Sequence, residues 1–210
     1  MNKIKFFTRN REYLIKILIE IFSVIFAVVL ALFINEHRSR KENIQYAEIA
    51  IHNIRVECDS NRYNLELAVH RHDTLINILD SIITLYEQNK TGLQLSVNSL
   101  SVENISGAAW EATKNTNAIN YIDFNLLMEI SANYDEQKIY YKLVDGFFKD
   151  QFLNPRNMTE EDFINKLYSF HSYLVRFSDF SHQYIEHCEK LIQLIDEKYP
   201  GIRNKILEDL

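Results

Sequence analysis

From Ile44 to Tyr86 the apolar positions advance in alternating steps of three and four: Ile44, Ala47, Ile51, Ile54, Cys58, Asn61, Leu65, Ala68, His72, Leu75, Leu79, Ile82 and Tyr86. Only Asn61 and His72 interrupt this stripe, which is the period of a helix that buries one face. A second stripe follows the same rule through Phe163, Leu167, Phe170, Leu174, Phe177, Ser181, Tyr184, Cys188, Leu191 and Ile195. Its start is marked by Pro155 and by Thr159-Glu160-Glu161-Asp162, a capping box with Asp in the place of Glu; its end is marked by Tyr199-Pro200-Gly201. Between them, Ile122 to Leu153 predicts a third helix with Phe124, Leu127, Met128, Tyr134, Ile139, Leu143, Phe147 and Phe148 inward. Residues 90–106, rich in Ser and Asn, read as a loop or a short strand-like connection.

The expected helices of the soluble domain are about 37–89, 107–118, 122–153, 159–198 and 201–209. Turn punctuation agrees with an all-α class. The chain has 4 Gly and 2 Pro, none of them before Gly92, far too few for a sandwich or barrel.

Ahead of the first stripe, Ile17 to Ile34 is a near-continuous apolar run carrying one carboxylate, Glu20. Taken as residues 13–35 it matches the roughly 20 residues a helix needs to cross a hydrocarbon core of about 30 Å. A cleaved signal peptide would end in small residues, whereas this run ends Ala31-Leu32-Phe33-Ile34-Asn35-Glu36. The predicted layout is a basic tail (1–12), a transmembrane helix (13–35) and a helical soluble domain (36–210) forming a long antiparallel bundle.

Charge sets orientation and excludes a partner class. Lys3, Lys5, Arg9, Arg11 and Lys16 precede the run, against Arg38, Arg40 and Lys41 after it. That bias predicts a cytoplasmic N-terminus and an exported, periplasmic domain at a bacterial inner membrane. Beyond residue 41 the chain holds 15 basic and 26 acidic side chains, a formal charge of −11. Such a domain lacks the basic surface from which nucleic-acid affinity comes, and no nucleic-acid partner is expected.

If the two stripes pack antiparallel, one register places Cys58 opposite Cys188, Ile54 opposite Leu191, Asn61 opposite Tyr184 and Ala68 opposite Phe177. The cysteines are then either a disulfide across the bundle, if the domain is exported, or two buried thiols acting as small core groups.

The stretch Ile19-Glu20-Ile21-Phe22-Ser23-Val24-Ile25-Phe26-Ala27 through Ile34-Asn35-Glu36, with basic residues following, resembles the anchor of an uncharacterised family of bacterial single-pass membrane proteins. Ala108-Ala109-Trp110-Glu111-Ala112-Thr113-Lys114, Asn120-Tyr121-Ile122-Asp123 and Tyr134-Asp135-Glu136-Gln137 are similar to segments of the same family. The resemblance implies a membrane-tethered helical domain of unknown activity and carries over no catalytic residue.

Candidate chemistry is sparse. His70 and His72 point about 200° apart on a helix, and His182, Glu186 and His187 do not form an H-E-x-x-H spacing. There is no Gly-rich phosphate loop and no nucleophile elbow, so neither catalysis, a metal nor a cofactor is expected. Trp110, among Gly107, Ala108, Ala109 and Ala112, is either a core plug or a partner-docking anchor. Tyr168, Tyr173 and Phe180 form either a contact face or a second core-facing stripe. Glu20 is the membrane candidate: it either pairs with Lys16 and snorkels, or meets a partner helix or pore. The sequence therefore predicts a non-enzymatic interaction, assembly or sensing subunit of an envelope complex, contacting lipid through 13–35 and a protein partner or a second copy elsewhere. The alternative is a subunit of an ion-coupled or pore-forming assembly using Glu20.

Overall fold

The computed structural model describes residues 2–88, 104–151 and 159–202; of residues 2–12, 147–151 and Glu160 it describes the backbone alone. Four α-helices and one 3₁₀ turn account for these residues: α1 (Asn2–Glu87), α2 (Ala108–Lys114), the 3₁₀ turn (Asn117–Tyr121), α3 (Phe124–Gln151) and α4 (Glu160–Lys198). No strand occurs among the described residues, and the fold is all-α. The chain divides into two compact units, residues 1–46 and 47–210, with α1 contributing to both.

In the first unit, α1 includes a stretch long and apolar enough to cross a membrane, none of it buried within the chain. Its side chains from Tyr13 to Ile34 are exposed. Ser23 donates its hydroxyl to the Ile19 carbonyl at 2.8 Å, satisfying that group within its own helix.

In the second unit, the inner face of α1 runs Ala47, Ile51, Ile54, Cys58, Asn61, Leu65, Ala68, His72 and Leu79, every one buried. Ile44, assigned to the same stripe from its spacing, is exposed. The facing stripe of α4 is buried from Leu167 to Ile195. Arg55 reaches Asp196 with two bonds of 2.6 and 2.7 Å, and Arg62 lies 3.9 Å from Glu189. Farther along, Ser178 donates to Asp73 at 2.8 Å, His171 lies 2.9 Å from Asp80, and Tyr168 donates to Glu87 at 2.8 Å. Residue numbers rise on α1 as they fall on α4, so the two helices are antiparallel.

α3 adds a third layer to one part of this pair. One core cluster joins Ala47–Leu65 of α1, Leu126–Tyr140 of α3 and Phe177–Ile195 of α4, together with Ile105, Trp110, Ala118 and Ile122. A second cluster, Leu79, Ile83, Ile164, Leu167, Phe170 and Leu174, is built from α1 and α4 alone.

The α3 face differs from its prediction. Phe124 is 70% exposed, and Met128 and Ile139 also face solvent. The buried line is Leu126, Ile130, Asn133, Tyr134, Gln137 and Tyr140. Of the predicted face, Tyr134 is buried and Leu127 and Leu143 pack against the core, but two amides share the buried line, so hydrophobicity alone misplaced Phe124, Met128 and Ile139. Phe147 and Phe148 lie outside the described side chains. On α4, Tyr173 and Phe180 pack against the core and are a second inward stripe rather than a free contact face.

The ends of α4 form as its sequence requires. Thr159 Oγ1 accepts from the Asp162 backbone N–H at 3.1 Å, and the Asp162 carboxylate accepts from the Thr159 N–H at 3.3 Å. Asp is long enough to complete this capping box. At the other end Gly201 adopts φ 82, the left-handed conformation glycine tolerates, and Ile202 folds back into the core. Residues 203–209 of the helix expected at 201–209 and most of the 90–106 connection lie outside the described residues.

The Arg55 guanidinium holds the Asp196 carboxyl below its ordinary value. A depressed carboxylate stabilises the fold above its unfolded value of about 3.9, and this contribution disappears as pH falls through the folded value. Asp196 is nearly half exposed, so the discounted contribution is about 0.5–1 kcal/mol. Asp196→Asn should therefore lower urea stability by that amount at pH 7, with the gap from wild type closing below about pH 4. A gap unchanged down to pH 2 would show that the ion pair is not its source.

Candidate functional site

Two linked polar groups lie in the core where α1, α3 and α4 meet, and they hold most of the residues singled out from the sequence. The first is centred on Asn133 of α3. Cys58 donates toward Asn133 Oδ1 at 3.8 Å, and Asn133 Nδ2 donates toward Cys188 Sγ at 3.6 Å. The Tyr184 hydroxyl donates to Asn133 Oδ1 at 3.4 Å. One amide thus touches both sulfurs and a phenol in a layer otherwise sealed from water. The fold brings Cys58 and Cys188 together across the α1–α4 seam, and the structure carries both as free thiols.

Electrostatics distinguishes the two sulfurs. The hydrogen bond between them raises Cys58, reinforced by burial, and lowers Cys188. A proton therefore stays on Cys58 and leaves Cys188 first. Burial also pushes the Tyr184 and Tyr134 phenols well above their ordinary value, so both are neutral donors. Neither sulfur is open to solvent, which separates them from the exposed, low-pKa thiols that react readily.

The second group surrounds Glu57, one residue away on α1. Its carboxylate accepts from the Tyr134 hydroxyl, from Ser106 Oγ at 2.6 Å and from the Ala109 backbone N–H at 3.0 Å. Asn61 completes the clamp: it donates to the Ser106 carbonyl at 2.8 Å and accepts from the Ser106 N–H at 2.7 Å. The stripe-breaking Asn61 is thus the residue that pins residues 104–107 onto α1. Gly107 permits that approach, since a Cβ there would sit 2.9 Å from Gln137 Oε1. Sequence reasoning overlooked Glu57, Ser106 and Asn133 because each looks like an ordinary solvated polar residue; only the missing place in the stripe at Asn61 signalled the clamp.

Trp110 is 7% exposed and stacks on Tyr134, with ring centroids 5.8 Å apart and 14° between planes. Lys114 Nζ lies over the same ring, 5.7 Å from its centroid. That placement corresponds to the core-plug alternative. His72, also buried, sets its ring edge against Phe177 at 5.0 Å. His187 pairs with Glu136 of α3 beside a surface cleft of about 380 Å³ between α3 and α4. Among the described residues no three His, Cys, Asp or Glu side chains converge to hold a metal ion.

Glu20 is in the other unit and belongs to no such network. It is exposed on the apolar stretch of α1, and among the described residues no ion pair joins it to Lys16. Compared with known proteins, the chain matches no protein-family model, no curated protein and no solved structure.

Removing the Asn133 amide strands a buried thiol and a phenol without their partner. Asn133→Ala should cost about 2–3 kcal/mol in chemical unfolding, against less than about 0.5 kcal/mol for the exposed neighbour Glu129→Ala. Equal costs for the two variants would remove Asn133 from its organising role.

Proposed function

We propose that this chain is a non-enzymatic, single-pass membrane subunit whose helical domain serves interaction, assembly or sensing in a bacterial envelope complex. The observation that carries this reading is the apolar stretch of α1, exposed from Tyr13 to Ile34 and covered by none of the described residues. An exposed apolar surface of that length is stable in lipid and not in water. The basic residues before residue 17 support a cytoplasmic N-terminus and a periplasmic bundle at the inner membrane. The polar groups around Asn133 and Glu57 support a structural domain: their partners are satisfied internally, and their reactive atoms are sealed off.

A membrane-embedded chain stays in the pellet after alkaline carbonate washing and leaves it in detergent. Val28→Arg, near the centre of the stretch, should reduce insertion, since such a charge costs roughly 2.5–3.5 kcal/mol at a helix centre. A C-terminal reporter active only in the periplasm fixes orientation. Wild-type protein released by carbonate would end the anchor reading, and a reporter active only in the cytoplasm would reverse the orientation.

Glu20 favours a second reading, a subunit of an ion-coupled or pore-forming assembly. An ionisable group on a lipid-facing stretch with no ion pair among the described residues is costly unless another helix or water supplies a partner. Glu20→Gln should then abolish an ion-linked phenotype while leaving the membrane level of the protein unchanged. Full function in that variant would leave the interaction reading alone.

A further inference from the structure

We propose that the outward face of α1 between Ile49 and Ser81 is the contact surface for a second copy of this chain, packed parallel and in register. Opposite the buried stripe, positions taken in alternating steps of four and three from Ile49 to Ser81 are all exposed. None of these ten positions is Asp, Glu, Lys or Arg. Ile49, Val56, Tyr63 and Leu67 lie on this line, and Ile78 borders it. The outward side of α4 is the opposite: it carries Arg176, Asp179, Glu186, Glu189, Asp196 and Glu197. Both helices belong to one bundle, so a general demand for solubility does not explain the difference.

The missing charge selects the partner. In a parallel, in-register pair each seam residue meets its own copy, so any charge there would face a like charge. A foreign partner is best matched by charges of the opposite sign, and this domain, at −11, has acids to spare for that purpose. A charge-free seam flanked by Asp59, Arg62 and Glu66 suits a self-pairing helix. Asn53, Ser60, His70, Thr74, Asn77 and Ser81 share the seam with the apolar positions, and polar side chains on such a seam specify register at a cost in stability.

Length and area agree with this. The segment 49–81 is about 50 Å long, and the uncharged arc covers roughly 13 Å of the circumference of a helix about 11 Å across. The product is roughly 650 Å² per partner, inside the standard interface range of about 1,200–2,000 Å² over both. Parallel orientation rests on the anchor reading, because anchors in one membrane put both N-termini on the same side.

The test uses the full-length chain in its membrane, with Val56→Cys, Tyr63→Cys and Thr74→Cys against the flank control Glu66→Cys. Cys58 and Cys188 are buried and stay silent under a mild thiol oxidant. Each face variant should form a dimer linked through its own position, and Glu66→Cys should not. Separately, Val56→Asp should weaken dimerisation in mild detergent by about tenfold or more with helicity unchanged. Linkage at only one face position, or adducts with a different protein, would overturn the parallel self-pairing. So would yields no higher than for Glu66→Cys. Carbonate washing of the same membranes separates the two readings. Protein retained but not crosslinked sinks the dimer alone; protein released yet crosslinked through the face sinks the anchor alone.

Discussion

The second unit depends on one seam: the inner stripe of α1 buried against the stripe of α4. Most of the stability of such helices comes from packing their apolar face rather than from propensity, and burial along a continuous stripe is what holds them together. Each buried Leu, Ile or Phe removes about 1.5–3 kcal/mol of unfavourable hydration. Because both stripes keep the same step pattern in opposite directions, one register fills many successive layers. Arg55–Asp196, Ser178–Asp73 and His171–Asp80 then fall on the flanks of that register. They fix its alignment more than its free energy, since partly exposed pairs contribute little.

The polar core is ordered by that seam and orders the rest in turn. Once α1 and α4 are paired, Cys58, Cys188 and Tyr184 surround a space that α3 can enter only with a group able to serve all of them. Asn133 does so, having both donors and an acceptor on one side chain. Buried Asn61 and half-buried Glu57, on adjoining turns of α1, draw in Ser106 and the start of α2. Trp110 then closes over Tyr134. A buried network satisfied throughout specifies a single arrangement in a way that an apolar surface alone does not.

Much of this was legible in the chain, and the misses have a common cause. The stripes of α1 and α4, the capping box at Thr159 and the stop at Gly201 all report local rules with one dominant solution. The opposition of Cys58 and Cys188 followed because a stripe with few breaks admits few registers. α3 met the same reading only in part: Tyr134, Leu127 and Leu143 face inward as expected, while Phe124 and Met128 are exposed and amides are buried in their place. Burial of Asn133 is decided by partners 50 or more residues away, Cys58, Tyr184 and Cys188, which no period within α3 records. Glu57 was invisible for the same reason, since its acceptors are filled by Tyr134, Ser106 and Ala109 rather than by its own helix.

Helix α1 combines three surfaces in its second-unit portion, each with a distinct physical signature. One is apolar and buried, one carries charges paired within the bundle, and one is exposed but uncharged. The third cannot be explained by the first two. Exposed positions on an acidic domain ordinarily collect charge because charge is well hydrated there and opposes association. Keeping ten successive positions neutral gives up that protection along the whole length of the bundle. Half-polar composition also keeps this face from collapsing in water, as the Asn, Ser, Thr and His between its Ile, Val, Tyr and Leu positions remain soluble while unpaired. A surface that tolerates both states, and that excludes charge only where a twin helix would repeat it, has the chemistry of a reversible self-contact.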